Sequence, residues 1–278
     1  MITPFDKIKS NLGEILPKDL LDRIPRKWEK IGDVLILKLS RELKNYEKDI
    51  ARVYANVLSC KTVLNDIGGI RGVERIPVVE YIYGSKDTET IHIENGIRFM
   101  LDPMRIMFSS GNIDERIRIS TISNPKEVVV DLFAGIGYFT IPIAVYSKPK
   151  KIYAYEINPI AYNYLCKNIV LNHVTDIVKP ILGDNREKTI EDIADRVIMG
   201  YFGDTYKFIS TAIKCLRNHK GFIHYHDVFP EEDIPDKPLY YLTEQAEIFN
   251  RKVEMIRYRK VKSYAPGINH YVFDVKIW

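Results

Sequence analysis

Val128-Val129-Val130-Asp131-Leu132-Phe133-Ala134-Gly135-Ile136-Gly137-Tyr138-Phe139-Thr140 is the stretch on which the fold turns. Three β-branched apolar residues predict a buried strand, an acid closes it, a glycine-containing loop follows, and an apolar helix begins. Gly135 and Gly137 allow the backbone to turn tightly and to approach a ligand closely. Asp131, at the strand end, is suited to holding an ammonium or ordering water. The pattern departs from the dinucleotide fingerprint, because Thr140 stands where a third glycine would pack helix against strand. A pyrophosphate at the helix N-terminus is therefore not called for.

Outward from this stretch, strands and helices alternate. Strands are expected at 127–131, 151–155, 177–182, 196–199 and 221–226, and helices at 137–146, 159–172, 204–216 and 239–249. That spacing implies βαβ units and a mostly parallel sheet. The last two runs, 252–261 and 270–277, have only the loop Lys262-Ser263-Tyr264-Ala265-Pro266-Gly267 between them, too short for a helix, so they should pair antiparallel. The second strand ends in Tyr155-Glu156-Ile157-Asn158-Pro159, and an acid at that tip can accept both hydroxyls of a ribose. The third ends in Leu182-Gly183-Asp184-Asn185, where Asp184 can accept an adenine amine and the Asn185 amide can meet a ring nitrogen. Asp and Asn are also common turn formers at such places. A glycine loop followed by two acid-bearing strand ends makes one adenosine-binding rim. This combination resembles the Rossmann-like fold of S-adenosylmethionine-dependent transferases: α/β, with a mostly parallel seven-stranded sheet whose last strand is antiparallel.

Residues 1–86 predict a small α+β domain, and 87–278 the transferase domain, with the division in the polar stretch Tyr83-Gly84-Ser85-Lys86-Asp87. In the first part a short helix starts near Leu16-Pro17 and ends by Pro25, 34–39 is a buried strand, and 45–58 an amphipathic helix with Ile50, Val53, Tyr54 and Val57 on one stripe. Two strands, near 62–64 and 76–81, flank a glycine-rich turn at 68–72, and a hairpin is expected over 91–101 around Glu94-Asn95-Gly96. A helix should run from 112 to about 122.

The 278 residues suffice for a core without disulfides. No run of about 18 apolar residues is present to span a membrane, and MITPFDKIKS lacks a secretory apolar region. Cys60, Cys166 and Cys215 form no CxxC pair, which speaks against a zinc ribbon and for a reducing cytoplasm; Cys166 and Cys215 fall on apolar helix faces. The 39 Ile against one Gln are typical of thermophiles. A net charge of +4 permits an RNA partner without demanding one.

A narrower resemblance lies just before the first sheet strand. Phe108-Ser109-Ser110-Gly111-Asn112, followed by Glu115-Arg116-Ile117-Arg118, is similar to the FSxxN...ER.R signature of one clan. The clan comprises the tRNA guanine-37 N1-methyltransferases and the tRNA wybutosine-synthesizing protein 2 family. The stretches Asp66 to Glu80 and His92-Ile93-Glu94-Asn95-Gly96 also look like it, so the resemblance covers roughly residues 60–278. It implies S-adenosylmethionine as group donor, with Ser109 and Arg116 contacting it beside Asp131, Gly135, Glu156, Asp184 and Asn185. An Arg near the sulfonium suits the methionine carboxylate; a helix-surface ion pair with Asp114 or Glu115 is the plainer alternative.

The residues after the fourth strand separate the branches. Methylating members carry a polar-Pro motif there, whereas Met199-Gly200-Tyr201 looks like the wybutosine-synthesizing branch, although Phe202-Gly203 departs from its usual Val-His. That branch, in its archaeal members, moves the 3-amino-3-carboxypropyl group to C7 of 4-demethylwyosine at position 37 in the anticodon loop of tRNA(Phe). The residues offer no metal cluster and no convincing side-chain nucleophile, a cytoplasmic enzyme is expected, and the sequence leaves the oligomeric state open, with a monomer as the expectation; N1-methylation of guanine 37 is the alternative, and a tRNA binder that does no chemistry a third. Which carbon of a sulfonium is transferred depends on which one lies in line with the nucleophile. His224 and His226 form a possible metal pair without a third ligand. The run 251–262 carries six bases and one acid, fitting either a solvated strand face or contacts to phosphates. Tyr201, Phe202 and Tyr206 suit either stacking on a splayed base or core packing.

Overall fold

A computed structural model of the chain describes residues 2–72 and 75–278; Val73 and Glu74, inside the clan-like run 66–80, lie outside the described residues. The chain divides into two compact units, Met1–Ser110 and Gly111–Trp278.

In the first unit, α1 (Pro4–Leu12) and α2 (Lys18–Leu21) precede β1 (Glu29–Ile31) and β2 (Val34–Leu37), then α3 (Glu47–Leu58), β3 (Thr62–Arg71), β4 (Ile76–Gly84), β5 (Thr90–Glu94) and β6 (Ile97–Leu101). Strands β1 to β4 form one sheet in chain order, and β5–β6 a separate hairpin. The core joins Ile8 and Leu12 of α1 to Leu35, Ile50, Tyr54 and Val63. The sequence reading passed over α1. Its signal is Thr3-Pro4-Phe5-Asp6, in which the Thr3 hydroxyl accepts from the Asp6 N–H and Asp6 accepts from the Thr3 N–H, a reciprocal cap. The glycine-rich stretch 68–72 is not a turn as expected. Asp66 Oδ1 accepts from the N–H groups of Gly68 and Gly69 (3.2 and 2.7 Å), absorbing the extra residues as a bulge, and pairing resumes at Ile70↔Pro77. The 91–101 hairpin turns through Asn95 and Gly96, both at positive φ, as a two-residue hairpin loop requires.

The second unit contains α4 (Ile113–Ile119), β7 (Val128–Asp131), α5 (Thr140–Tyr146), β8 (Lys151–Glu156), α6 (Pro159–Leu171), β9 (Val178–Leu182), α7 (Asn185–Lys188), β10 (Arg196–Met199), α8 (Ile209–Cys215), β11 (Gly221–Pro230), α9 (Asp236–Glu247), β12 (Val253–Ala265) and β13 (Ile268–Ile277). Its seven strands lie in the order β12-β13-β11-β10-β7-β8-β9. β8, β7, β10 and β11 pair parallel with their neighbours, as β8 does with β9, and β13 is antiparallel to both β11 and β12. The strand order reverses between β7 and β10, so the crevice at their carboxyl ends is where an open α/β sheet binds ligands. One face is closed by α8 and α9, whose Ile209, Ile213, Leu242 and Ala246 pack with Tyr225 and Phe273. β11 runs four residues beyond the expected end at 226, because β13 pairs with it continuously from Gly221↔Ile277 to Pro230↔Ile268. The expected helix 204–216 begins as a 3-10 turn, Thr205–Phe208, behind Asp204 at positive φ.

Candidate active site

The glycine loop is tied down on every side. Leu132 donates to the Ile198 carbonyl and Ala134 to that of Tyr155, hanging the loop between β10 and β8. Asn168 of α6, fully buried, donates to the Ile136 carbonyl at 3.0 Å. Asn168 was not singled out from sequence; its signal was a lone amide on a helix face otherwise made of Leu165 and Ile169. Gly135 has φ +58°, and a β-carbon there would sit 2.5 Å from the Tyr138 ring, so the cradle tolerates only glycine.

Asp131 is fully buried and its two oxygens turn back into this loop, one accepting from the Thr140 hydroxyl (2.7 Å), the other from the Phe133 N–H (3.2 Å). Burial lifts its pKa to about 6, against the pull of those donors. The structure thus gives Asp131 to loop shape rather than to an exposed ammonium site. Glu156 accepts from the Gly135 N–H through one oxygen and from the Asn158 N–H through the other, each at 2.7 Å. Burial raises its pKa, and the N–H groups of Asn158, Gly135 and Ile157 oppose that rise. A carboxylate has about four lone-pair positions, so three donors do not exhaust its capacity to accept from a ligand.

At the third strand end, Asp184 caps α7 and is held by Arg186, whose hydrogen bond lowers the carboxyl pKa. Asn185 donates to the Leu132 carbonyl at 2.7 Å, binding the third loop to the first, while its buried Oδ1 accepts no hydrogen bond. An orphaned buried acceptor is costly unless a ligand supplies a donor. Asn185 Oδ1, the Gly135 cradle and the spare lone pairs of Glu156 together fit an adenosine: an amine donor, a close backbone approach and a pair of hydroxyls.

Arg116 is 2 % exposed, so the surface ion pair does not describe it. Its neighbour Glu115 is fully buried and pairs instead with Arg118 (2.6 and 2.8 Å) and Arg259 (3.0 Å). Arg118 also grips Asp274 of β13 at 2.7 Å, and Asp274 accepts from Arg257 Nε at 2.7 Å and from His224 Nδ1 at 2.5 Å. Burial pushes the Asp274 carboxyl up, but His224, Arg257 and Arg118 outweigh it and hold the group far below the usual range. His224 Nε2 meets Arg196, which can only donate, so Nδ1 carries the ring proton and gives it to Asp274. His226 Nδ1 instead lies 3.1 Å from His270 Nε2. The two histidines have different nearest partners, although His226 Nε2 also lies 3.7 Å from Glu115, and among the described residues no group of three or more His, Cys, Asp or Glu is placed to hold a metal. Arg257 and Arg259 therefore do not stand as a simple solvated face. Cys215 is buried, its thiol pushed up to about 12 by burial, whereas Cys166 is only half-buried.

Past the end of β10, Gly200 makes room for Phe139: a β-carbon there would lie 2.6 Å from the ring. Phe139 in turn stacks on His226 at 5.1 Å. Tyr201 stacks on Phe133 (5.1 Å) and Tyr206 on Tyr241 (4.7 Å), so those two are engaged in packing. The nearby acid Asp227 is spent on the N–H groups of Gly203 and Val228 and the Tyr225 hydroxyl. Ser109 belongs to the first unit; it is half-buried and follows Phe108, whose ring packs against His92 (4.7 Å) and Phe99 (5.6 Å).

Strand order, glycine loop and acid-bearing strand ends define a Rossmann-like S-adenosylmethionine-dependent transferase. Residues 90–256 match the TRM5/TYW2 methyltransferase domain, and residues 8–88 the TYW2 N-terminal domain. The chain is 48 % identical over 250 residues to the tRNA(Phe) (4-demethylwyosine(37)-C(7)) aminocarboxypropyltransferase of Methanocaldococcus jannaschii, covering 90 % of this chain and 97 % of that protein. It is 38 % identical over 263 residues to the tRNA (guanine(37)-N(1))-methyltransferase Trm5b of Pyrococcus abyssi, covering 94 % of this chain and 78 % of that one. The solved structure of P. horikoshii TYW2 in complex with MeSAdo superposes with a TM-score of 0.88 at 40 % identity, over 99 % of each chain. The chain belongs to the TRM5/TYW2 family.

Proposed function

We propose that this chain transfers the 3-amino-3-carboxypropyl group of S-adenosylmethionine to C7 of 4-demethylwyosine at position 37 of tRNA(Phe), releasing methylthioadenosine. The observation that carries this reading is the loop after β10. Met199-Gly200-Tyr201 presents neither acid nor amide, Gly200 lies beneath Phe139, and Asp227 is consumed in holding the loop. A guanine N1 proton finds no side-chain acceptor on these three residues, and the loop's acid, Asp204, is tied to Lys207, whereas a carbon nucleophile needs none at that edge. The names of the relatives matched over nearly the whole chain support the same reading. In this assignment Gly135 faces the donor closely, Glu156 takes the ribose hydroxyls, and Asp184 and Asn185 meet the adenine. Buried Arg116 takes the methionine carboxylate and turns the amino-acid arm toward the base. C7 bonds to the carbon attached to sulfur, the carbon–sulfur electron pair stays on sulfur, and the C7 proton leaves to water. Positioning carries the catalysis, since bringing the correct carbon into line is worth many powers of ten.

The test uses S-adenosylmethionine labelled separately on the methyl and on the carboxyl carbon. Carboxyl label is expected in tRNA and methyl label in methylthioadenosine. Methyl label in tRNA would replace this reading by N1-methylation, and label in neither would leave a binding protein.

A further inference from the structure

Five rings run in unbroken contact from the glycine loop to the tip of the β12–β13 hairpin. Phe139 lies on His226 (5.1 Å), His226 against His270 (5.3 Å), His270 against Phe202 (4.9 Å), and Phe202 against Tyr264 (5.9 Å). The row stands on the ligand side of the sheet. Met199, the last residue of β10, is level with Tyr225, so β11 from His226 onward and its partners on β13 project beyond the carboxyl ends of the parallel strands. His226 and His270 are about 1 % exposed, and at the far end Tyr264 is 56 % exposed.

Tyr264 thus presents an aromatic ring half in water beside Phe202. It borders a cavity of about 340 Å³ formed by the hairpin tip with Lys260, Glu231 and Asn269. The loops on either side are open: at Gly203 and at Gly267, both with positive φ, a β-carbon would meet nothing within 4 Å. Phe202 and Tyr264 cross at 76°, so they form a corner in which a planar group can lie on the face of one ring with the edge of the other as a wall.

We propose that Phe202 and Tyr264 form the seat of the acceptor base, and that the seat selects an extended fused-ring heterocycle over a purine by stacking area. The proposal rests on the reading of the reaction given above. Stacking on an aromatic ring needs no particular hydrogen-bonding edge, so the preference for ring area does not depend on the Glu231 and Asn269 that line the adjoining cavity. Stacking area grows with the number of fused rings, so removing the flat surfaces should weaken a tricyclic base more than guanine.

The experiment compares the wild type with Phe202→Leu, Tyr264→Leu and Tyr264→Phe. Each is titrated with S-adenosylmethionine, with tRNA(Phe) carrying 4-demethylwyosine, and with the same tRNA carrying guanine at position 37. Both Leu variants are expected to weaken binding of the tricycle-bearing tRNA at least tenfold and of the guanine-bearing tRNA less than threefold, with S-adenosylmethionine affinity within twofold, which also reports an intact fold. Tyr264→Phe should restore tricycle binding, since the hydroxyl is not used. Equal weakening of both tRNAs, or no weakening of either, overturns the proposal. These affinities need no turnover, whereas methylthioadenosine release by the wild type reads the reaction, so the seat and the proposed function fail separately.

Discussion

The Glu156 oxygens accept the N–H groups of Gly135 and Asn158, fixing the glycine loop against the second strand, and in the proposed assignment their remaining capacity takes a ribose. Glu156→Ala should weaken S-adenosylmethionine binding by roughly 1.5–3 kcal/mol, the worth of hydrogen bonds to a charged group. Isothermal titration checks this, and unchanged affinity would remove Glu156 from the site. The place of Glu156, an acid at a strand tip beside the glycine loop, was legible in the sequence. That of Asp131 was not, because the same reasoning cannot see that Thr140 and the Phe133 N–H fold the carboxylate inward. Thr140, read only as a missing glycine, turns out to be the donor that holds it.

Among the elements, α4 carries Arg116, on which the proposed direction of transfer rests. It has seven residues, too few to be stable alone. Glu115 and Arg118, on one face, lock it to Arg259 of β12 and Asp274 of β13, while Arg116 is turned about 100° from Glu115. Removing one partner of a buried ion pair strands the others, typically at about 3–5 kcal/mol. Arg118→Ala should therefore lower stability by about that amount in a urea melt. It should also cut carboxyl-label transfer by about 10²-fold, as a 1 Å displacement of Arg116 would; full transfer would show that α4 is held by other means. β12 carries a related lesson. Bulges at Met255/Arg257, Lys260/Lys262 and Ser263/Ala265 break the alternation on which a solvated basic face depended, and they turn Arg257 and Arg259 toward the buried acids Asp274 and Glu115.

Over the whole molecule, the polar layer between α4 and the sheet makes stability depend on pH. His226 is kept neutral, its pKa lowered to about 3 by burial and then by the Arg118 and His224 charges, and His224 is lowered by burial as well. Both are lowered below the unfolded value of 6.5, so their contribution is whole above pH 6.5 and drains as pH falls toward 3. Asp274 adds a loss below its unfolded value of 3.8. Asp131, raised to about 6 by burial, works the other way and gains stability as pH falls through 6. Glu156 and Asp227, also raised by burial, act with Asp131, so urea melts should show the histidines' loss partly offset between pH 6.5 and pH 4 and a steeper fall below pH 4, where Asp274 adds its own. His226→Asn should remove its share of the loss between pH 6.5 and 3, and an unchanged pH dependence would mean that His226 takes up its proton in the folded chain as well.

The class of fold, the glycine loop and the two acid-bearing strand ends were determined by local sequence, because strand, tight turn and helix N-terminus each depend on residues a few positions apart. The reciprocal cap at Thr3 and Asp6 was equally local. Tertiary structure decided the rest. Whether α4 is buried, with Arg116 on it, depends on Glu115 meeting Arg259 of β12 and Arg118 meeting Asp274 of β13, well over a hundred residues away. Whether His224 and His226 are a pair depends on which side chains β13 sets opposite them. The ring row is assembled from α5's approach, the loop after β10 and three strand positions, and no spacing in the chain encodes it. Contacts between distant segments are chosen by register and burial, and neither is a property of a short stretch of sequence.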